Sequence, residues 1–165
     1  MIYTIPEHDV TSLEKLLSST KRVIDNKSNK LSKSQSHILK HSDKVLPDIF
    51  IEYYSTTNKI LNKKLSDVLE IEDLNPITIH TFKYENGAHS LEHRDTNSFN
   101  TFVIMLEDDY KGGDFYLNGK LTEFKKRGDV ANYVGKESPH EVKPVTEGTR
   151  TVLVAWYSDI KGKLI

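Results

Sequence analysis

From Ile77 to Tyr157 apolar and polar side chains alternate with a period of two, and each run is cut short by a turn signal. Residues 77–84, 100–107, 114–117, 120–124, 129–134, 141–145 and 149–157 read as strands, because alternation sends successive side chains to opposite faces of a sheet. Asn86-Gly87, Gly112-Gly113, Asn118-Gly119, Gly128 and Glu147-Gly148 punctuate them. Roughly seven or eight short strands joined by tight turns suggest a sandwich or a barrel. No internal repeat is visible.

Upstream of Pro76 the period is helical. Thr11-Ser12-Leu13-Glu14 matches a capping box, and Leu13, Leu16, Leu17, Val23 and Ile24 follow at helical spacing, which predicts a first helix over 11–25. Residues 25–36 are rich in Lys, Asn and Ser and read as an exposed connection. Leu46, Ile49, Phe50, Tyr53, Thr57, Ile60, Leu61 and Leu65 predict a second helix over 46–64, with Pro47 in its first turn and Asp48 beside the positive end of its dipole. Residues 66–69 add a short turn of helix before Asn75-Pro76 breaks the pattern. The expected architecture is one domain, mostly β, in which a helical support region (1–75) covers one outer face of a β core (76–160).

Composition narrows the class of partner. With 23 basic against 24 acidic residues, the chain has no electrostatic footprint for a nucleic acid or an anionic membrane. It contains no cysteine, so disulfides, thiolate nucleophiles and zinc–thiolate sites are excluded together. The first residues lack a basic segment followed by an apolar run, and no window approaches the length of a membrane span. The expectation is a soluble intracellular, cytoplasmic protein.

Chemistry concentrates in Leu91-Glu92-His93-Arg94-Asp95-Thr96. In an extended strand His93 and Asp95 share a face, with Arg94 on the other. Two histidines and one carboxylate make the facial set that holds non-haem Fe(II) while leaving positions open, and His140 is the candidate third ligand. Alone, His-x-Asp is a weak motif that reads first as two solvated residues on a surface strand. His89 reads as a solvated loop residue at the rim, and His8, His37 and His41 have no partner at useful spacing. The run Lys125-Lys126-Arg127 reads as a solvated turn.

The downstream segment adds specificity. Ser138-Pro139-His140-Glu141-Val142 leads through Glu147-Gly148 into Thr149-Arg150-Thr151-Val152-Leu153-Val154-Ala155-Trp156-Tyr157. With His93, Asp95, His140 and Arg150 in that order, Tyr84-Glu85-Asn86-Gly87 before them, Tyr110-Lys111-Gly112-Gly113-Asp114-Phe115 and Gly128-Asp129-Val130 between them, the chain resembles the Fe(II)/2-oxoglutarate-dependent dioxygenase superfamily in its prolyl 4-hydroxylase-like branch. The resemblance covers about 77–158 and implies a double-stranded β-helix, or jelly-roll, buttressed by two or three helices.

It also implies roles. His93, Asp95 and His140 would bind Fe(II), and catalysis would run through that iron. Arg150 would fork onto the distal carboxylate of 2-oxoglutarate, with the Tyr84 phenol beside it. Many prolyl 4-hydroxylases of this kind carry lysine where Arg150 stands, a departure that bears on substrate class. On the strand after the metal motif, Thr101, Val103 and Met105 share a face expected to line the pocket. Phe115, Val154 and Trp156 would pack around the co-substrate. His80, on the face of Phe82 and Tyr84, reads either as a substrate contact or as a satisfied core histidine.

Dioxygen, Fe(II) and 2-oxoglutarate are therefore the implied cofactors, and the implied reaction hydroxylates a C–H bond with release of succinate and CO2. The presence of Asp95 favours hydroxylation over halogenation. A peptidyl proline or other protein side chain is the first expected substrate. Rival readings are a hydroxylase of a free amino acid, small metabolite or nucleobase, and a jelly-roll binding or structural protein without turnover.

Overall fold

The structure is a computed structural model that describes residues 1–20, 22–23, 39–40, 49–72, 75–95 and 100–158. In chain order its elements are β1 (Ile2–Thr4), α1 (Glu7–Ser19), β2 (Arg22–Val23), β3 (Leu39–Lys40), β4 (Ile49–Tyr54), α2 (Lys59–Leu69), β5 (Thr78–Tyr84) and β6 (His89–His93). Then follow β7 (Asn100–Glu107), β8 (Tyr110–Gly112), β9 (Phe115–Leu117), β10 (Lys120–Leu121), β11 (Asp129–Tyr133), β12 (His140–Val142), β13 (Val145–Gly148) and β14 (Arg150–Tyr157).

Two antiparallel sheets carry the architecture. The larger has the order β1-β11-β7-β14-β5-β4-β2 and the smaller β10-β9-β12-β6-β3, while β13 and β8 pair as a separate ribbon. Side chains from both sheets meet in one buried cluster, in which Phe82, Val103, Tyr133, Val152 and Val154 of the larger sheet pack with Phe115 and Val142 of the smaller. The other face of the larger sheet supplies Ile79, Phe102, Ile104, Leu153 and Tyr157 to a second cluster, completed by α1 and α2. The central strands β7 and β14 are buried on both faces, which is why they read as nearly continuous apolar runs.

The helices hold to the sheet by apolar stripes. Val10, Leu13 and Leu17 of α1 and Leu61, Leu65, Val68 and Leu69 of α2 are buried. Each fully buried leucine contributes about 1.5–3 kcal/mol. Asn58 caps α2 by accepting from the Leu61 amide at 3.0 Å, and Glu70 ends it in the left-handed region at φ 55°. Lys64 of α2 reaches Asp9 of α1 at 3.3 Å. Arg127 bonds the Leu106 carbonyl at 2.7 Å and pairs with Glu7 and Glu14 of α1. The basic run is thus an anchor for α1 at Arg127 as well as a turn.

The mostly-β architecture with helices on one outer face is as expected, but several boundaries differ. Helix α1 begins at Glu7, behind Pro6, so the Thr11–Glu14 box lies inside the helix, and the helix stops at Ser19. Val23 belongs to β2, and Ile24 lies outside the described residues. The helix expected over 46–64 is overturned: Ile49–Tyr54 is a strand, with Ile49, Ile51 and Tyr54 buried and Phe50 exposed. Helix α2 starts only at Lys59 and continues through Leu69, absorbing the turn expected at 66–69. Leu46, Pro47, Asp48 and residues 25–36 lie outside the described residues. The strand expected over 141–145 divides at Lys143-Pro144 into β12 and β13, where proline has no amide to give the ladder. Among the described residues no helix is long and apolar enough to cross a membrane.

Candidate functional site

His93 ends β6 and His140 begins β12, and the two are direct partners across the antiparallel pair. Their ring centroids are 4.2 Å apart. Each ring is oriented from behind: Nδ1 of His93 bonds the Leu91 carbonyl and Nδ1 of His140 the Ser138 carbonyl, both at 2.8 Å. A carbonyl can only accept, so Nδ1 carries a proton in each, and in the neutral ring Nε2 keeps its lone pair. Both Nε2 atoms face Oδ1 of Asp95, at 3.6 Å and 3.4 Å. One donor atom from each of the three residues lies within 4.8 Å of the other two, a spacing that could hold a metal ion.

Asp95 is fixed by contacts of its own. Its amide donates to the Gly135 carbonyl at 2.9 Å. Its Oδ2 accepts from the Trp156 indole at 3.0 Å and from the Thr101 hydroxyl at 3.2 Å. Burial alone would raise the carboxyl pKa, but hydrogen bonds from the His140 and His93 rings in their doubly protonated form, the charge His140 then carries, and the indole outweigh it and hold Asp95 well below the usual carboxylate range. Arg94, between the two ligand candidates, is exposed.

Beside this cluster a cavity opens between the sheets. Phe82, Val103, Phe115, Val142, Val152 and Val154 give it apolar walls, and Tyr84, Tyr133, Ser90 and Arg150 add polar groups. Arg150 is 1% exposed and stands opposite Tyr84 in the β14–β5 register. Its guanidinium lies over the Tyr84 and Phe124 rings at 5.2 Å and 5.7 Å. Its Nε has no hydrogen-bond partner, and no carboxylate among the described residues pairs with it. A buried guanidinium without an anion is costly and marks a place for one. Room for its stem comes from Gly113, where a Cβ would come within 3.1 Å of Arg150 Cδ and 3.0 Å of the Tyr110 ring.

The remaining sequence candidates fall into place around this frame. Thr101 holds Asp95, while Met105 is fully buried in the inter-sheet cluster and does not line the cavity. Phe115, Val154 and Trp156 line it. Trp156 also bonds Asp95, a role that packing alone did not suggest. His80 packs on Tyr53 and Trp156, with centroids 4.3 Å and 4.9 Å away, and bonds Thr78 Oγ1 at 2.6 Å. Burial lowers its pKa to about 4, so it is a neutral core histidine at neutral pH. His89 opens strand β6, where a loop was expected, and bonds the Gly87 carbonyl at 3.0 Å. His8 is exposed, and His37 and His41 lie outside the described residues.

Tyr133 and Gly135 are the residues that sequence reading misses. Tyr133 packs on the His140 ring at 4.7 Å. Burial raises its pKa well above the ordinary value, Asp95 and Tyr84 push it further up, and Arg150 opposes them. Its phenol and that of Tyr84 find no hydrogen-bond partner among the described residues. Alternation puts Tyr133 on an inward face, but only the pairing of β11 with β7 shows which face is inward.

The sequence model of the 2OG-Fe(II) oxygenase superfamily matches residues 79–158. Among solved structures, a prolyl-4-hydroxylase from Pseudomonas putida superposes with a TM-score of 0.62 at 16% identity, covering 96% of this chain and 91% of that one. An oxidoreductase of the 2OG-Fe(II) oxygenase family from Burkholderia pseudomallei gives 0.61 at 14% identity, covering 95% and 84%. The 2-oxoglutarate complex of a viral collagen prolyl hydroxylase from Paramecium bursaria Chlorella virus-1 gives 0.54 at 14% identity, covering 66% and 78%. No curated protein sequence matches the chain.

Proposed function

Because its β region, residues 79–158, belongs to the 2OG-Fe(II) oxygenase superfamily, whose enzymes use Fe(II), 2-oxoglutarate and dioxygen, we propose that this dioxygenase hydroxylates a C–H bond with His93, Asp95 and His140 as iron ligands. The observation that carries the reading is the three-residue donor cluster beside a buried Arg150, which bonds Tyr110 but meets no carboxylate among the described residues. The donor set fits the ion: two imidazoles with free Nε2 atoms and one carboxylate suit a divalent iron that keeps open positions. Bound iron supplies dioxygen activation and, with 2-oxoglutarate as reductant, the oxidising power for C–H hydroxylation, with succinate and CO2 as co-products.

The protein's own groups bind and orient. Arg150 would hold the distal carboxylate of the co-substrate, for which a guanidinium can offer two parallel N–H donors where lysine cannot. The Tyr84 and Tyr133 phenols line the same cavity and would donate to an anion bound there. Phe82, Val103, Phe115, Val152 and Val154 exclude water and strengthen these polar contacts. The leading substrate class is a peptidyl proline, supported by the fold shared with the P. putida and viral prolyl hydroxylases.

Anaerobic addition of Fe(II) and 2-oxoglutarate to the full chain is expected to give the visible charge-transfer band of the chelate. The band should be lost in His140→Ala. Succinate release should follow proline-rich peptides in preference to free amino acids. Absence of the band from the wild-type chain would sink the assignment, and turnover on free proline alone would move the substrate to the small-molecule class.

A further inference from the structure

We propose that Trp156 and Thr101, with the missing side chain at Gly135, confine Asp95 to ligation through one oxygen and thereby set how many positions on a bound metal stay open. The proposal rests on the reading of His93, Asp95 and His140 as the ligands.

The two donors arrive as a unit. Thr101 on β7 and Trp156 on β14 are direct cross-strand partners, so their side chains rise side by side from the inner face of the larger sheet. Both end on the same atom, Oδ2 of Asp95, at 3.2 Å and 3.0 Å. A carboxylate oxygen offers about two lone-pair sites. With both engaged, Oδ2 has none left for a metal, and Oδ1 is the atom turned toward Nε2 of His93 and of His140. Chelation through both oxygens would have to break two hydrogen bonds to a charged group. It would also fill a coordination position that the co-substrate or dioxygen needs.

Gly135 provides the third side of the clamp. Its carbonyl accepts the Asp95 amide at 2.9 Å. A Cβ there would sit 2.3 Å from Oδ2, 2.8 Å from Thr101 Oγ1 and 2.9 Å from Asp95 Cβ. Its φ lies outside the left-handed region, so the backbone does not call for glycine. What the position supplies is space, into which the carboxylate is pressed with one oxygen turned inward. Trp156 and Thr101 are therefore positioning residues, acting on the metal through Asp95.

The test is a Co(II) titration of the metal-free full chain, followed by the visible d–d spectrum and melting temperature of each variant. Trp156→Phe and Thr101→Val each remove a donor and keep most of the packing, and Thr101→Ser keeps the hydroxyl. Co(II) affinity is expected to fall roughly 10–100-fold in the first two, as for other groups that orient a ligand. The d–d bands should change, and Thr101→Ser should restore both readouts. Gly135→Ala should bind more weakly still. Wild-type affinity and spectrum in Trp156→Phe and Thr101→Val, with binding abolished in a His140→Ala control, would overturn the clamp and leave the ligand assignment standing. Equal losses in Thr101→Val and Thr101→Ser would also overturn it, since packing would then be the cause. Unchanged binding in His140→Ala would remove the ligand assignment and the clamp together.

Discussion

Replacing Arg150 with methionine should make the protein more stable and useless for the co-substrate. Arg150 is 1% exposed, its Nε is unpartnered, and no carboxylate among the described residues neutralises it. Keeping a charge in such a place costs several kcal/mol even after relaxation. The rings of Tyr84 and Phe124, at 5.2 Å and 5.7 Å, return part of that. Desolvated cation–π contacts are worth about 2 kcal/mol each at best. Replacing buried ionic groups by apolar ones of similar volume gains ~1–4 kcal/mol, and because the two rings and the Tyr110 hydrogen bond offset part of the cost here, the expected gain is at the lower end, about 1–2 kcal/mol. Methionine is flexible enough to fill the slot beside Gly113. Without ligand, Arg150→Met should therefore melt about 2–8 °C above wild type, taking roughly 2–4 °C per kcal/mol for a chain of this size. Adding Mn(II) and 2-oxoglutarate at about 100 times the dissociation constant should raise wild type by about 2.7 kcal/mol and leave the variant where its metal alone puts it, so the order reverses. Scanning calorimetry with and without the co-substrate reads both halves. A ligand-free variant that melts below wild type, or one that still gains from 2-oxoglutarate, would refute the idea that Arg150 is a charge held in reserve for an anion.

Two further outcomes follow from groups the sequence undersells. Tyr133→Phe should weaken 2-oxoglutarate binding about tenfold, for a lost hydrogen bond to a charged group of about 1.5 kcal/mol, while melting without ligand stays near wild type; titration of the charge-transfer band measures it, and an unchanged affinity would place the phenol outside the co-substrate site. For His80 the folded pKa is about 4, below the ~6.5 of an unfolded histidine. The unfolded state therefore binds more protons between those values, so the contribution is complete above about pH 6.5 and is lost as pH falls toward 4. At roughly 1.4 kcal/mol per pH unit this amounts to about 3 kcal/mol, and denaturant titrations of metal-free His80→Gln should lack that acid limb. Parallel profiles for variant and wild type over pH 4 to 6.5 would exclude His80 as the cause.

What could be read from the chain depended on whether a residue's neighbours are local. Strands β5, β7, β11 and β14 follow from alternation, because each is long enough to show its period. Ile49–Tyr54 defeated the same method because Ile49, Phe50 and Tyr53 fit a helical stripe as well as a strand, and only the pairing of β4 with β5 decides between them. The Thr11–Glu14 box misled because any Thr-x-x-Glu inside a helix looks like its start, whereas Pro6 and the bond from Arg127 to Glu7 set the beginning earlier. At the site, the residue types of His93, Asp95, His140 and Arg150 carry their chemistry openly. Gly135 does not, since its contribution is an absence of atoms beside a carboxylate brought from another part of the chain. Trp156 shows the middle case: its strand and its inward face were legible, but the partner of its indole was not.

The bond from Trp156 to Asp95 joins residues 61 apart in the chain, and His93 meets His140 only through β6 and β12. Closing such separations is slow, because chain entropy is surrendered before the contact rewards it. No contiguous fragment between Asp95 and Trp156 contains the whole donor set with its supports. Metal uptake during refolding should accordingly be a late event that reports completion of both sheets, so a Co(II) signal would serve as a clock for the last step of assembly.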